Sequence, residues 1–180
     1  MFYKKFVFIL LVSFCVGQHL CSSQFTSQQA EELLTLSWED FDQTPGKGWR
    51  AYADAGDFLN AAHLIKQYLQ KYEDLEESSE RILHWHAGQM YAMSGDYSSA
   101  KHYFQASLDP QEDLTKATLC WNDYVWATLA FLDKDREKLE KHRNVIAYGP
   151  AYNGKKLNLD IVDKFLQHFN KTYREAYTAL

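Results

Sequence analysis

The sequence predicts an all-α protein of one domain built from antiparallel helix pairs, and three observations carry that prediction. A short segment recurs at a spacing of 39 residues. Glycine (8) and proline (3) are scarce, which removes collagen-like, loop-rich disulfide and proline-rich linker architectures. Apolar residues recur at helical spacing, as Ala30, Leu34, Trp38 and Phe41 do. The 180 residues suit one domain or slightly more, and 46% hydrophobic with 24% charged residues is the composition of a chain that buries a core. Aromatics at 16% supply large contact areas with polar tips, suited to helix packing and to binding surfaces.

The N-terminus comes first in the chain. Lys4 and Lys5 precede an apolar run from Phe6 to Val16, after which small and polar residues appear, as in a secretory signal peptide. Eleven helical residues reach about 16 Å, well short of a hydrocarbon core of ~30 Å, which argues against an uncleaved membrane anchor. Gly17 behind Cys15, or Ser23 behind Cys21, satisfies the small-residue rule, so cleavage is expected between 17 and 23. Phe14 and Leu20 precede the two cysteines where a lipoprotein signal wants a small residue, which argues against a lipid anchor. The exported chain, residues 24–180, then carries 17 basic against 24 acidic side chains, a net charge of −7. Its destination is periplasmic or extracellular. A cut after Cys21 leaves Cys120 alone, so no internal disulfide forms, and its apolar surroundings beside Trp121 read as a small buried hydrophobe rather than a reactive thiol. The full chain's charge of −5, with no long basic run, excludes nonspecific nucleic-acid binding.

The remaining elements follow from caps and periodicity. Thr26 or Ser27 caps a first helix over 27–41, which Thr44-Pro45-Gly46 closes. Ala55-Gly56-Asp57-Phe58-Leu59-Asn60-Ala61 then aligns with Ser94-Gly95-Asp96-Tyr97-Ser98-Ser99-Ala100, and Asp135 continues the spacing of Asp57 and Asp96 in a degenerate third copy. Each copy reads as a helix hairpin: glycine permits the sharp exit, aspartate caps the next helix, and an aromatic packs where alanine allows close approach. The pairs cover about 42–72 (helices 47–55 and 57–72), 80–108 (80–94 and 97–108) and 110–146 (110–132 and 135–146). Asp109-Pro110-Gln111-Glu112 reads as the start of the third pair, with Asp as cap and Pro at the first helical position. After a loop at 148–156, Ile161, Val162, Phe165, Leu166 and Phe169 draw one apolar face of a capping helix over 158–170.

At this point the chain resembles tetratricopeptide repeats. Gly88, Tyr91, Gly95, Tyr97, Ala100 and Phe104 stand at the spacings of that family's signature, and Trp49, Tyr52, Gly56, Phe58, Ala61 and Ile65 follow it in the first copy. The match covers about residues 42–145. The family period is about 34 residues, the repeat here is longer, and its proline does not end the motif. The wider pattern is similar to that of small exported bacterial helical proteins. The resemblance implies helix pairs stacked as a short α-solenoid whose first helices line a concave, partner-binding face. Carried over position by position, that face comprises Lys47, Arg50 and Asp54 from the first copy. The second copy gives Trp85, His86, Gln89 and Met93, and the third gives Trp121, Tyr124 and Thr128. Aromatic, Met and amide side chains beside Lys and Arg suit an extended or helical peptide, including one with a carboxylate. The competing reading makes Trp85 and Trp121 core.

No catalytic constellation emerges. Gly149 to Lys155 satisfies the G-x4-G-K spacing of a phosphate loop, but Lys156 replaces the hydroxyl that holds magnesium and too few residues follow for the parallel sheet. His84 and His86 are about 200° apart on a helix and cannot share one metal, while Glu80 and His84 pair at i, i+4 as a surface interaction. Glu73 to Glu80 and Lys134 to Arg143 read as solvated helix faces. Asn170-Lys171-Thr172 is a glycosylation sequon, meaningful in a eukaryotic secretory pathway. The expectation is a non-catalytic protein- or peptide-binding scaffold acting after export, with no cofactor, metal, nucleic acid or membrane span. The alternatives are an enzyme or small-ligand binder with an interhelical pocket near Trp85, His86, Tyr91 and Trp121, and a structural component of an envelope complex.

Overall fold

A computed structural model describes residues 27–179, so the expected signal segment and Thr26 lie outside the described residues. Every regular element among the described residues is helical. In chain order they are α1 (Ser27–Leu33), a π-helical turn (Glu39–Gln43), α2 (Arg50–Asp54), α3 (Phe58–Lys71), α4 (Glu77–Ser94), α5 (Tyr97–Ala106), α6 (Trp121–Leu132), α7 (Arg136–Tyr148), α8 (Leu159–Gln167) and α9 (Tyr173–Tyr177). The hairpins α2–α3, α4–α5 and α6–α7 are closely packed, and α3 also packs on α4.

The repeated aspartates do what their spacing predicts. Asp57, Asp96 and Asp135 cap α3, α5 and α7, each accepting the N–H three residues on, at 3.4, 3.1 and 3.1 Å. In all three turns the aspartate's own N–H returns to a carbonyl of the preceding helix: Tyr52, Tyr91 and Ala130. The residue before it is left-handed each time, with φ +79° at Gly56, +91° at Gly95 and +57° at Lys134. The third turn therefore keeps its shape without glycine. Lys134 is tied down by its ammonium, which donates to the carbonyls of Phe169 and Lys171 at 2.8 Å and lies 4.1 Å from the Phe131 ring. At the centre, a Cβ on Gly88 would lie 2.6 Å from the Phe104 ring, so α4 and α5 approach as closely as they do only because Gly88 has no side chain.

Three boundaries differ from the sequence expectation. The helix expected over 27–41 breaks after Leu33, because α3 claims the carbonyls beyond it: Lys71 and Tyr72 donate to Leu34 O and Tyr68 to Leu36 O, each at 3.0 Å. Pro110 opens no helix; residues 109–120 form a loop. Asp109 and Asp113 accept the N–H groups of Gln111 and Thr115 at 3.0 Å, local turns that compete with a helix. Asn122 fixes this loop through two bonds to the Asp109 backbone, both 2.8 Å. Glu112 caps α6 from a distance, accepting Trp121 N–H at 2.5 Å and Asn122 N–H at 3.2 Å, so Cys120 stands just before the helix rather than within it. Burial raises the Glu112 carboxyl, and those N–H bonds oppose the rise.

Finally, the C-terminal region ends in a second short helix. Thr172 and Glu175 form a capping box on α9, which packs against α4. Tyr173 is fully buried, with its ring 5.4 Å from Phe165, 6.2 Å from Phe104 and 6.4 Å from Phe131, and its N–H donates to the Tyr97 hydroxyl at 3.0 Å. Both short helices thus depend on tertiary contacts, the inserted ring of Tyr173 chief among them, since isolated helices of this length do not persist. Gly88→Ala is expected to lower the unfolding free energy by about 1–3 kcal/mol through overpacking against Phe104, and Asp96→Ala by about 1 kcal/mol through loss of the cap. Urea denaturation followed by circular dichroism measures both.

Candidate functional site

The ten positions expected on one face do not stay together. Trp85, Tyr124 and Thr128 are buried. The Trp85 ring lies 4.7 Å from Phe104, 5.2 Å from Trp121 and 4.7 Å from Tyr124, while Thr128 donates to the Tyr124 carbonyl at 2.9 Å. Trp121 is half-buried with its indole N–H on Ser107 O at 2.7 Å. Tyr91 stacks on Tyr103 at 5.3 Å. Trp85 is enclosed by rings and belongs with the core, whereas Trp121 packs its indole against the core and also lines a separate cleft of about 620 Å³ with Arg81, Ile82 and Glu112.

Arg50, Asp54, Gln89 and Met93 instead converge on a cleft of about 440 Å³ between α2, α4 and α9. Its walls include Trp49, Ala53, Phe58, Met90 and Tyr177. Lys47 stands outside that lining, paired with Asp40 at 2.9 Å. Gln89 donates to the Tyr177 hydroxyl at 3.4 Å, joining α4 to α9.

One buried carboxylate organises this region. Asp42 sits in the π-helical turn with no solvent exposure. Its Oδ1 accepts the Trp49 indole N–H at 2.8 Å and faces His86 Nδ1 at 2.7 Å, and its Oδ2 accepts the Gln43 amide at 2.5 Å. Its backbone carbonyl accepts Arg50 Nε–H at 2.6 Å. Burial pushes the Asp42 carboxyl up, but the His86 contact and the Trp49 and Gln43 bonds outweigh burial and hold it below the usual range. An ionised carboxylate only accepts, so His86 carries its proton on Nδ1. Gly48 makes the fold-back possible: its φ is +53° and a Cβ there would overlap the Phe41 carbonyl. Trp49 then lies 5.0 Å from the His86 ring, and the Arg50 guanidinium 4.3 Å from the Trp49 ring.

His84 faces away from His86, 3.4 Å from Glu80 and 5.8 Å from the Tyr103 ring. Its pKa is lowered by burial despite Glu80. Cys120 is buried, with its thiol pushed up by burial. In the 149–156 loop, Lys156 donates to the Gly149 carbonyl, and Tyr152 and Lys155 exchange backbone bonds at 3.0 and 2.9 Å around Asn153-Gly154. Asn170 is exposed in the α8–α9 connection, and Thr172 of the sequon is the α9 cap. Among the described residues no three His, Cys, Asp or Glu side chains gather to hold a metal, and no helix is long and apolar enough to cross a membrane.

Sequence reasoning missed Asp42, Phe58, Arg174 and Tyr177 as parts of this region. Thr172-x-x-Glu175 marks α9 in the sequence, but nothing local marks Asp42, whose partners come from three elements. Compared with protein-family models, curated proteins and solved structures, the chain matches none of them. Fold and site together define a class: an all-α chain of capped helix hairpins with an aromatic cleft arranged around a buried carboxylate.

Asp42→Asn is expected to cost about 3 kcal/mol at pH 7, since it weakens a buried charged network. Folding lowers the Asp42 pKa, so its contribution is complete above the unfolded value of about 4 and is lost as pH falls through the folded value. Urea midpoints across pH 2–7 should therefore fall less steeply below about pH 4 in the variant than in the wild type.

Proposed function

We propose that this protein is exported and binds a peptide segment of another protein without catalysis, using the cleft between α2, α4 and α9. The N-terminal basic and apolar segments support export to a periplasmic or extracellular destination. The capped hairpins, with Gly88 opposite Phe104 and the shared left-handed turn, support a tetratricopeptide-like stacking of helix pairs.

The observation that carries the reading is the lining of the cleft. Met93, Phe58 and Tyr177 give it a half-buried apolar surface, while Arg50, Asp54 and Gln89 put charge and amide groups beside it. Apolar floor and polar rim are the anatomy of a peptide groove, and thioether side chains adapt to different apolar partners. Short α2 and α9 form two of the walls, so the groove lies between elements whose positions depend on tertiary contacts.

Ala53→Trp should fill the cleft while leaving far-ultraviolet circular dichroism unchanged. Affinity capture with the exported chain from the cells that make it is expected to yield a protein whose recovery falls at least about tenfold with the variant. Equal recovery with both chains would remove the cleft from the function. The mass of the secreted chain tests export directly, with a new N-terminus expected between residues 18 and 24.

A further inference from the structure

All five arginines of this chain are among the described residues. Three meet carboxylates: Arg81 with Asp109 at 3.4 Å, Arg136 with Glu140 at 2.9 Å and Arg143 with Asp163 at 2.7 Å. Arg50 and Arg174 meet none among the described residues. One lines the cleft and the other lies beside it. Arg50 lines it, and the Arg174 guanidinium lies 4.9 Å from the ring of Phe58, which lines it as well.

Each of the two is held by its apolar side. Arg50 stacks on Trp49 at 4.3 Å and spends only Nε on the Asp42 carbonyl, which leaves both Nη groups able to donate. Stacking orients the planar fork at little electrostatic cost, and such a fork matches a carboxylate with two parallel hydrogen bonds. In a chain with 24 acidic side chains, the arginines that lack a carboxylate are the two beside one apolar cleft. Lys47 adds no competing cation, being paired with Asp40. Asp54 lies one turn after Arg50 without bonding to it, so it repels a uniformly acidic ligand and accepts a backbone N–H from a suitable one.

We propose, building on the peptide-binding reading, that the ligand is an acidic peptide segment: carboxylate side chains on Arg50 and Arg174 flanking an apolar side chain set against Met93 and Tyr177. A nucleic acid fits less well, because its affinity needs many cations and the chain is net negative.

Selection of a random phage-displayed peptide library on the full chain tests this, with Ala53→Trp as the counter-selection target. Recovered peptides are expected to carry two or more Asp or Glu around Leu, Met or Phe. A synthetic peptide of the recovered sequence should lose at least about tenfold in affinity to Arg50→Ala and to Arg174→Ala separately, and bind more weakly as salt is raised. The Arg174 guanidinium rests on the Phe58 ring and forms no ion pair among the described residues, so its variant keeps the test valid if Arg50→Ala disturbs folding. Arg174→Glu should recover affinity for the same peptide with one acid changed to Lys. Peptides without acids, or with affinities unmoved by either arginine variant, would overturn the acidic ligand while leaving peptide binding in place. Failure to retain any peptide over Ala53→Trp would overturn both readings, and binding of a single-stranded oligonucleotide but no peptide would replace them with a general anion site.

Discussion

The Asp42 carboxylate is buried against three side-chain donors, and the cleft takes its form from that circumstance. A carboxylate removed from water requires several donors, and here they come from Gln43 beside it, Trp49 at the start of α2 and His86 in the middle of α4. Meeting that requirement ties the π-helical turn, α2 and α4 together. It also fixes the Trp49 ring on which Arg50 lies, while the carbonyl of the same residue holds Arg50 Nε. Thus one ionised group sets the position of two cleft residues that it does not itself expose.

A different device builds the hairpins. A left-handed residue, an aspartate cap and a returning N–H recur in all three turns, and the geometry survives even where glycine is replaced by Lys134. There the ammonium of Lys134 reaches the α8–α9 connection, so the degenerate repeat is also the point where the C-terminal helices are attached. Tyr173 completes the attachment by filling the space between α5, α6 and α8. The third hairpin gives up its glycine and gains a docking site for α8 and α9.

Those C-terminal helices redistribute the face that the repeat pattern suggests. Tyr124 and Thr128 become interior, Trp85 is enclosed by Phe104, Trp121 and Tyr124, and the accessible remainder lies toward α2. Tyr177 joins Gln89 at the far wall and Arg174 covers Phe58. The proposed groove is therefore composite, made from the first hairpin, one face of α4 and the last helix, and its two stacked arginines come from opposite ends of the chain.

The sequence by itself determined the helical class, the three hairpin turns and their caps, because these depend on residues within one turn of each other: Asp57 with Asn60, Asp96 with Ser99, Asp135 with Lys138. The repeat resemblance pointed to ten positions, of which Arg50, Asp54, Gln89 and Met93 meet in the cleft while Trp85, Tyr124 and Thr128 pack inward. Only the tertiary structure decided that residues 27–41 break and that 109–120 stays out of helix. In those segments side chains from α3, together with Glu112 and Asn122, take backbone groups that local propensity would have given to a helix. Tertiary structure likewise joined Asp42 to His86 and Arg174 to Phe58. Such pairings satisfy a buried charge or cover a half-buried ring across long stretches of chain, and their energy has no counterpart in the spacing of neighbouring residues.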